Sequence, residues 1–281
     1  MSQDSRKTPD NSIQLPDLAG YDLGEQVLDY VERDVILYAL AVGATTQQLD
    51  LVYEQDLRAL PTYACALGLW AVERAGKLGA YDPKRSLHAS QSLVMHRAMP
   101  VTGPIVSRGR IVNVWDKGKA ALVEIEVSSP VFTALYTIFL PGMGGWGGER
   151  GSSAVKSGTP EHTGPDWTST MVTGRDQATL YRLTGDRHPI HIEEAVAAEN
   201  GFERPILHGL CTLGIAAREL AAAAGAHPAG LRELHASLAA PVLPGDAIDV
   251  LASGIDRGQM HFTAKVGETV VLKGGRACFI L

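Results

Sequence analysis

Apolar residues recur at helical intervals in two short stretches, residues 34–42 (DVILYALAV) and 176–184 (DQATLYRLT), and in two longer ones, residues 62–75 and 207–224. Four helices are predicted there, and each long one follows a proline, Pro61 and Pro205. A second pattern, alternating or continuously apolar and rich in β-branched side chains, covers residues 105–115, 120–128 and 131–140 and returns at 248–251, 261–266 and 269–272. These segments predict strands. Asp116-Lys117-Gly118 and Asp256-Arg257-Gly258 supply hairpin turns between them.

The same order of elements occurs twice. Tyr38-Ala39-Leu40 aligns with Tyr181-Arg182-Leu183, Pro61 with Pro205, and Pro100 with Pro244, at an offset of about 143 residues. Residues 141–170 between them are rich in Gly, Ser, Pro and Thr and lack periodicity, as a linker does. The chain therefore divides into a first unit (1–140), a linker (141–170) and a second unit (171–281). One long apolar helix per unit needs a curved antiparallel sheet to cover it, so the predicted class is α+β, two helix-in-sheet units packed together.

A chain of 281 residues is long enough for such a pair. Its 25 Lys and Arg against 31 Asp and Glu give a net charge of −6, with no basic block to neutralise a run of phosphates, which argues against nucleic acid as a partner. The first 17 residues are polar, and no run of about 18 uncharged apolar residues follows, so a cytosolic protein that does not span a membrane is expected. Even the most apolar stretch, residues 205–224, carries His208, Arg218 and Glu219 at helical intervals, which suits a buried helix. Cys65, Cys211 and Cys278 show no CxxC spacing and lie among apolar neighbours, reading as reduced core thiols.

Unusual residues concentrate between Tyr181 and Gly214, YRLTGDRHPIHIEEAVAAENGFERPILHGLCTLG. On one helix Asp186 and His191 would point about 140° apart, but Pro189 disfavours helix at His188 and lets them converge across a turn. A carboxylate beside an imidazole can hold one water and move its protons. Farther on, Gly209 falls where the first N–H groups of the buried helix lack intrahelical partners, a place suited to a developing oxyanion.

With its neighbours, this stretch resembles the MaoC-like (R)-specific 2-enoyl-CoA hydratases, or hydratase 2. LYALAVGA from Leu37, LPTYA from Leu60, LHASQ from Leu87, LPGMGGWGGER from Leu140 and PVLPGD from Pro241 follow in that family's order. The resemblance implies a double hot-dog fold, a homodimer, and syn hydration of a trans-2-enoyl-CoA to the (3R)-3-hydroxyacyl-CoA without metal or organic cofactor. It implies that Asp186 and His191 are the catalytic pair, that the Gly209 N–H holds the thioester oxygen, and that the first unit is noncatalytic and shapes the acyl tunnel. The internal alignment agrees, since Gly43 falls opposite Asp186 and Gln48 opposite His191. In one departure, His188 stands where the family has Asn. An imidazole can replace an amide as donor or acceptor but not in both roles at the same reach, so rate or substrate preference is expected to differ.

Blander readings stand beside these. His188 and His191 suggest a metal, yet spacing alone offers no third ligand. His208 reads equally as an aid to the oxyanion site or as a hydrogen-bonded structural histidine. GMGGWGG lacks the Lys-Ser/Thr of a phosphate loop and reads as a flexible connection, with Arg150 beyond it a solvated charge. Tyr181, Leu183 and Leu213 read as core, and the run from Ala221 to Ala224 as room for the sheet. Neither a GxSxG elbow nor a Cys with a plausible His partner is present to act as thioester nucleophile. The competing functions are the same chemistry on a bulky steroid side-chain CoA ester or a carrier-bound acyl chain, a hot-dog thioesterase, and a noncatalytic acyl-CoA binder.

Overall fold

The computed structural model describes residues 13–151 and 164–281. The start of the polar N-terminus and the middle of the stretch read as linker lie outside the described residues. The chain forms β1 (Asp22–Leu28), α1 (Glu32–Ala41), α2 (Leu49–Val52), α3 (Tyr63–Leu67), α4 (Leu69–Gly76), β2 (Leu87–Met95), β3 (Ile105–Asp116), β4 (Ala120–Ser128) and β5 (Phe132–Pro141). There follow β6 (Trp167–Val172), α5 (Gln177–Tyr181), α6 (Glu194–Glu199), α7 (Gly209–Ala224), β7 (Leu231–Leu238), β8 (Ala247–Asp256), β9 (Gln259–Val266) and β10 (Thr269–Phe279).

All ten strands join one antiparallel sheet in the order β1-β3-β4-β5-β2-β7-β10-β9-β8-β6. Counted inward from either edge the sequence order is the same, so two topologically identical five-stranded units meet at the β2–β7 seam. This is the α+β double hot-dog fold. The units' helices pack on the sheet's apolar face, and α7 is buried over most of its circumference, as a helix apolar nearly all round must be. It ends at Gly225, whose left-handed backbone (φ 65°) stops the helix.

The first unit departs from the expected long helix. Residues 62–75 form two short helices divided at Gly68, because the Tyr136 hydroxyl occupies the space a Cβ at Gly68 would fill and donates to the Cys65 carbonyl at 2.7 Å. In the second unit, residues 182–184 continue α5 as a 3-10 turn. The glycine-rich residues after β5 are not a flexible connection. Asp116 Oδ1 accepts the N–H groups of Gly118 and Gly145 at 2.7 and 2.8 Å, and Oδ2 accepts that of Gly147 at 2.8 Å, winding the segment around one carboxylate. Arg150 is exposed, as a solvated charge should be. The stretch taken as linker also contains the start of β6. Leu183, read as core, is 49% exposed; Tyr181 and Leu213 are buried, but of Ala221–Ala224 only Ala221 is. Cys65 and Cys211 are buried and Cys278 only partly so.

Candidate active site

Gly185, Asp186 and the turn that follows leave the sheet face between α5 and α6. Asp186 Oδ1 accepts the His188 N–H at 3.1 Å, closing a local turn, and the His188 ring accepts the Ile190 N–H through Nδ1 at 3.2 Å. His188 thereby caps the 3-10 turn Pro189–His191, whose proline stands at the first position where no N–H is needed. The turn returns His191 toward Asp186, with Nε2 3.9 Å from Oδ2. His191 Nδ1 lies 2.8 Å from the Ile206 carbonyl, which can only accept, so Nδ1 carries the proton and Nε2 presents a lone pair. Burial pushes the His191 pKa below its ordinary value, with Asp186 and the Ile206 carbonyl opposing that shift.

Gly209 is the first residue of α7, and no side chain caps the helix's opening N–H groups. These groups open onto a cavity of about 790 Å³ that Asp186, His188 and His191 also line. The structure therefore gathers all four residues singled out from the sequence. The wall beyond them is largely apolar and comes from both units: Leu69, Val72 and Ile138 from the first, Leu238 and Val271 from the second. A Cβ on Gly209 would come within 2.9 Å of Leu238 Cδ1.

Two more histidines complete the site: His88, which sequence did not assign to it, and His208, which read equally as an aid to the oxyanion site or as a structural histidine. His88, on β2 of the first unit, lines the same cavity, and burial holds its pKa down at about 4. Only the LHASQ block marked its stretch. His208, immediately before Gly209, stacks on His191 with ring centroids 3.6 Å apart and planes 24° apart. It supplies the third metal-type donor that spacing did not reveal, since donor atoms of Asp186, His191 and His208 lie within 4.8 Å of one another. The stacking opposes convergence on one ion, because imidazole lone pairs lie in the ring plane and these planes are nearly parallel.

A carboxylate and an imidazole 3.9 Å apart beside a free helix N-terminus, at the head of an apolar cavity within a double hot-dog, form an arrangement suited to an acyl thioester. The chain belongs to the MaoC-like hydratase 2 family. Residues 28–138 match the MFE-2 hydratase 2 N-terminal domain, and residues 156–274 match the MaoC like domain. It is 35% identical to a 3-hydroxyacyl-thioester dehydratase Y of Mycobacterium tuberculosis, across 89% of this chain and 91% of that protein. It is also 35% identical to a probable enoyl-CoA hydratase 2 of Dictyostelium discoideum, across 87% and 89%. A crystal structure of a MaoC-like dehydratase from Phytophthora Capsici superposes with a TM-score of 0.82 at 26% identity, covering 93% of this chain and 96% of that one. Among the described residues no helix is long and apolar enough to cross a membrane.

Proposed function

We propose that the protein catalyses the reversible hydration of trans-2-enoyl-CoA to (3R)-3-hydroxyacyl-CoA. The observation that carries this reading is the 3.9 Å separation of Asp186 Oδ2 and His191 Nε2 on the wall of a cavity shared by the free N-terminus of α7. That distance exceeds a direct hydrogen bond and suits one water donating to both groups. Such a water keeps a lone pair free for the substrate.

In this mechanism the Gly209 N–H donates to the thioester oxygen, drawing electron density from C3. The water oxygen bonds to C3 as one of its protons passes to the Asp186–His191 pair. Charge moves through C2 to the thioester oxygen, and a proton from the pair then reaches C2 on the same face, closing a syn addition. Dehydration is the same path reversed, the direction in which the mycobacterial relative is named. The near-parallel imidazoles support a reaction without a metal ion, and the chemistry as balanced needs no organic cofactor. Three free cysteines favour a reducing, cytosolic setting, and a homodimer rests on the family resemblance alone.

The test is the loss of enoyl-thioester absorbance across a panel of trans-2-enoyl-CoA chain lengths, with product chirality assigned. Wild type should yield the (3R) alcohol, and Asp186→Asn and His191→Ala should each lose on the order of 10²-fold to 10⁴-fold in kcat while remaining folded. A wild type silent on every chain length, or two fully active variants, would overturn the reading.

A further inference from the structure

His208 touches each part of the candidate machinery while standing outside the reaction just described. Its Nε2 lies 3.1 Å from the Asp186 main-chain carbonyl, its ring covers one face of His191, and its peptide bond leads into Gly209. Tyr181 packs against it at a tilt of 47° with ring centroids 4.8 Å apart, and only 1% of the His208 surface is exposed. The Asp186 carbonyl can only accept, so His208 Nε2 carries the proton and Nδ1 is bare. Nδ1 is itself buried without a hydrogen-bond partner among the described residues.

We infer that His208 is a positioning residue, a permanently neutral donor that locks Asp186, His191 and Gly209 into one register. The inference rests on the hydratase reading for its kinetic consequence, though not for its tautomer. Protonating Nδ1 would bury both an unpaired donor and a charge against His191 and within reach of Arg182, and only Asp186 would favour it. With the neutral Tyr181 phenol, these are the charged and titratable groups bearing on the ring from the Asp186 turn, the end of α5 and the start of α7, and burial outweighs all of them, depressing the His208 pKa to about 3. A neutral ring is also the only one that can lie flat on His191 through the catalytic cycle without resisting a proton arriving there. Histidine is thus used here as a planar donor that does not titrate, which neither Asn (no ring) nor Phe (no donor) reproduces.

The experiment combines imidazole NMR with steady-state kinetics on the full chain. In wild type, long-range ¹H–¹⁵N spectra should show His208 protonated at Nε2 and bare at Nδ1 from pH 5 to 9, with His191 protonated at Nδ1. His208→Phe retains the stack and loses the donor, so kcat should fall about 10²-fold, as expected when reacting groups move by about 1 Å, with KM changed less than about 3-fold and the acid limb of the pH profile unmoved. His208→Ala also admits water to the His191 ring, so its acid limb should shift upward toward pH 6.5. Thermal melts of both variants separate lost fold from lost register. A His208 resonance that titrates near neutrality, or a folded Phe variant with wild-type kcat, overturns the inference. A silent wild type with the expected tautomers sinks the hydratase reading and upholds the neutral lock.

Discussion

Ser92 Oγ and His235 Nδ1 lie 2.8 Å apart on directly opposed residues of β2 and β7, separated by 143 positions in the chain. Because the two units are topologically identical and this antiparallel pair joins them, an approximate two-fold axis passes between residues that correspond to each other. The tyrosines Tyr38 and Tyr181, also in corresponding positions, meet on the helix side of the sheet with ring centroids 6.0 Å apart. Symmetry ends at the chemistry. Where the second unit places Asp186 and His191, the first has Gly43 and Gln48, and Gln48 Oε1 accepts from Arg218 of α7 at 3.1 Å.

That exchange lets the first unit hold an ion pair of α7 through Gln48 and the Val42 carbonyl, and its removal should be costly. The Arg218 side chain is 10% exposed, donates to the Val42 carbonyl at 3.1 Å and pairs with Glu219 at 2.6 Å, while Glu219 also accepts from Ser169 at 2.6 Å. Arg218→Met strands Glu219 and should lower unfolding free energy in urea by about 3–5 kcal/mol, whereas Arg218→Met with Glu219→Gln should recover a large part of it. Equal losses in single and double variants would show that the pair itself is unimportant.

Gly68 and Tyr136 make a second coupled pair. Gly68→Ala must push away the buried Tyr136 hydroxyl and break its bond to the Cys65 carbonyl, at a cost of about 1–3 kcal/mol. Tyr136→Phe removes the hydroxyl that the new methyl group would strike. In a double-mutant cycle by denaturant melts, the combined variant should therefore be more stable than the two single losses predict together. Simple additivity would mean that the helix break has another cause.

The contrast between α7 and the α3–α4 pair shows what sequence could and could not disclose. Both stretches are apolar and follow a proline, but nothing within residues 62–75 announces the tyrosine that arrives from β5 to divide them. Strands β3 and β4 were legible because alternate buried positions carry apolar side chains. Central strands β2 and β7 were not, since LHASQSLVM buries Gln91 and a register shift near His88 breaks its alternation. Edge strands β1 and β6 are short and largely solvated, with little pattern to read. In the site, Asp186, His191 and Gly209 were marked by proline and glycine in their local turns. The contribution of His88 comes from tertiary packing alone, and a carboxylate in β3 gave no sign that it would gather the glycines beyond β5.

Buried histidines should make both stability and rate acid-sensitive. His88 and His208 have folded pKa values of about 4 and about 3, below the ordinary 6.5. As pH falls below 6.5 the unfolded chain takes up these protons first, so their contribution declines toward the folded values and stability rises with pH through that window. Thermal melts should show a lower midpoint at pH 5 than at pH 7.5, with a smaller drop in His88→Phe. The His191 pKa is also lowered, so the bare Nε2 required by the mechanism persists at neutrality and the acid limb of kcat should lie below pH 6.5. A limb above that value, or pH-independent melting, would contradict the burial argument.

Gly209 offers the sharpest separation of chemistry from folding. Alanine is a better helix former than glycine, so Gly209→Ala carries no intrinsic penalty in the helix. Its methyl group would nevertheless press on Leu238 Cδ1, 2.9 Å away, forcing that side chain toward the cavity where the thioester should lie. The expected result is a near-normal melting temperature with kcat/KM reduced about 10²-fold to 10³-fold, the loss expected when a single oxyanion donor is displaced. Leu238→Val, which withdraws the obstructing branch, should restore a large part of kcat/KM to Gly209→Ala. Rescue would place the fault in the Gly209–Leu238 contact; loss of stability without rescue would make Gly209 a packing residue and remove it from the oxyanion role.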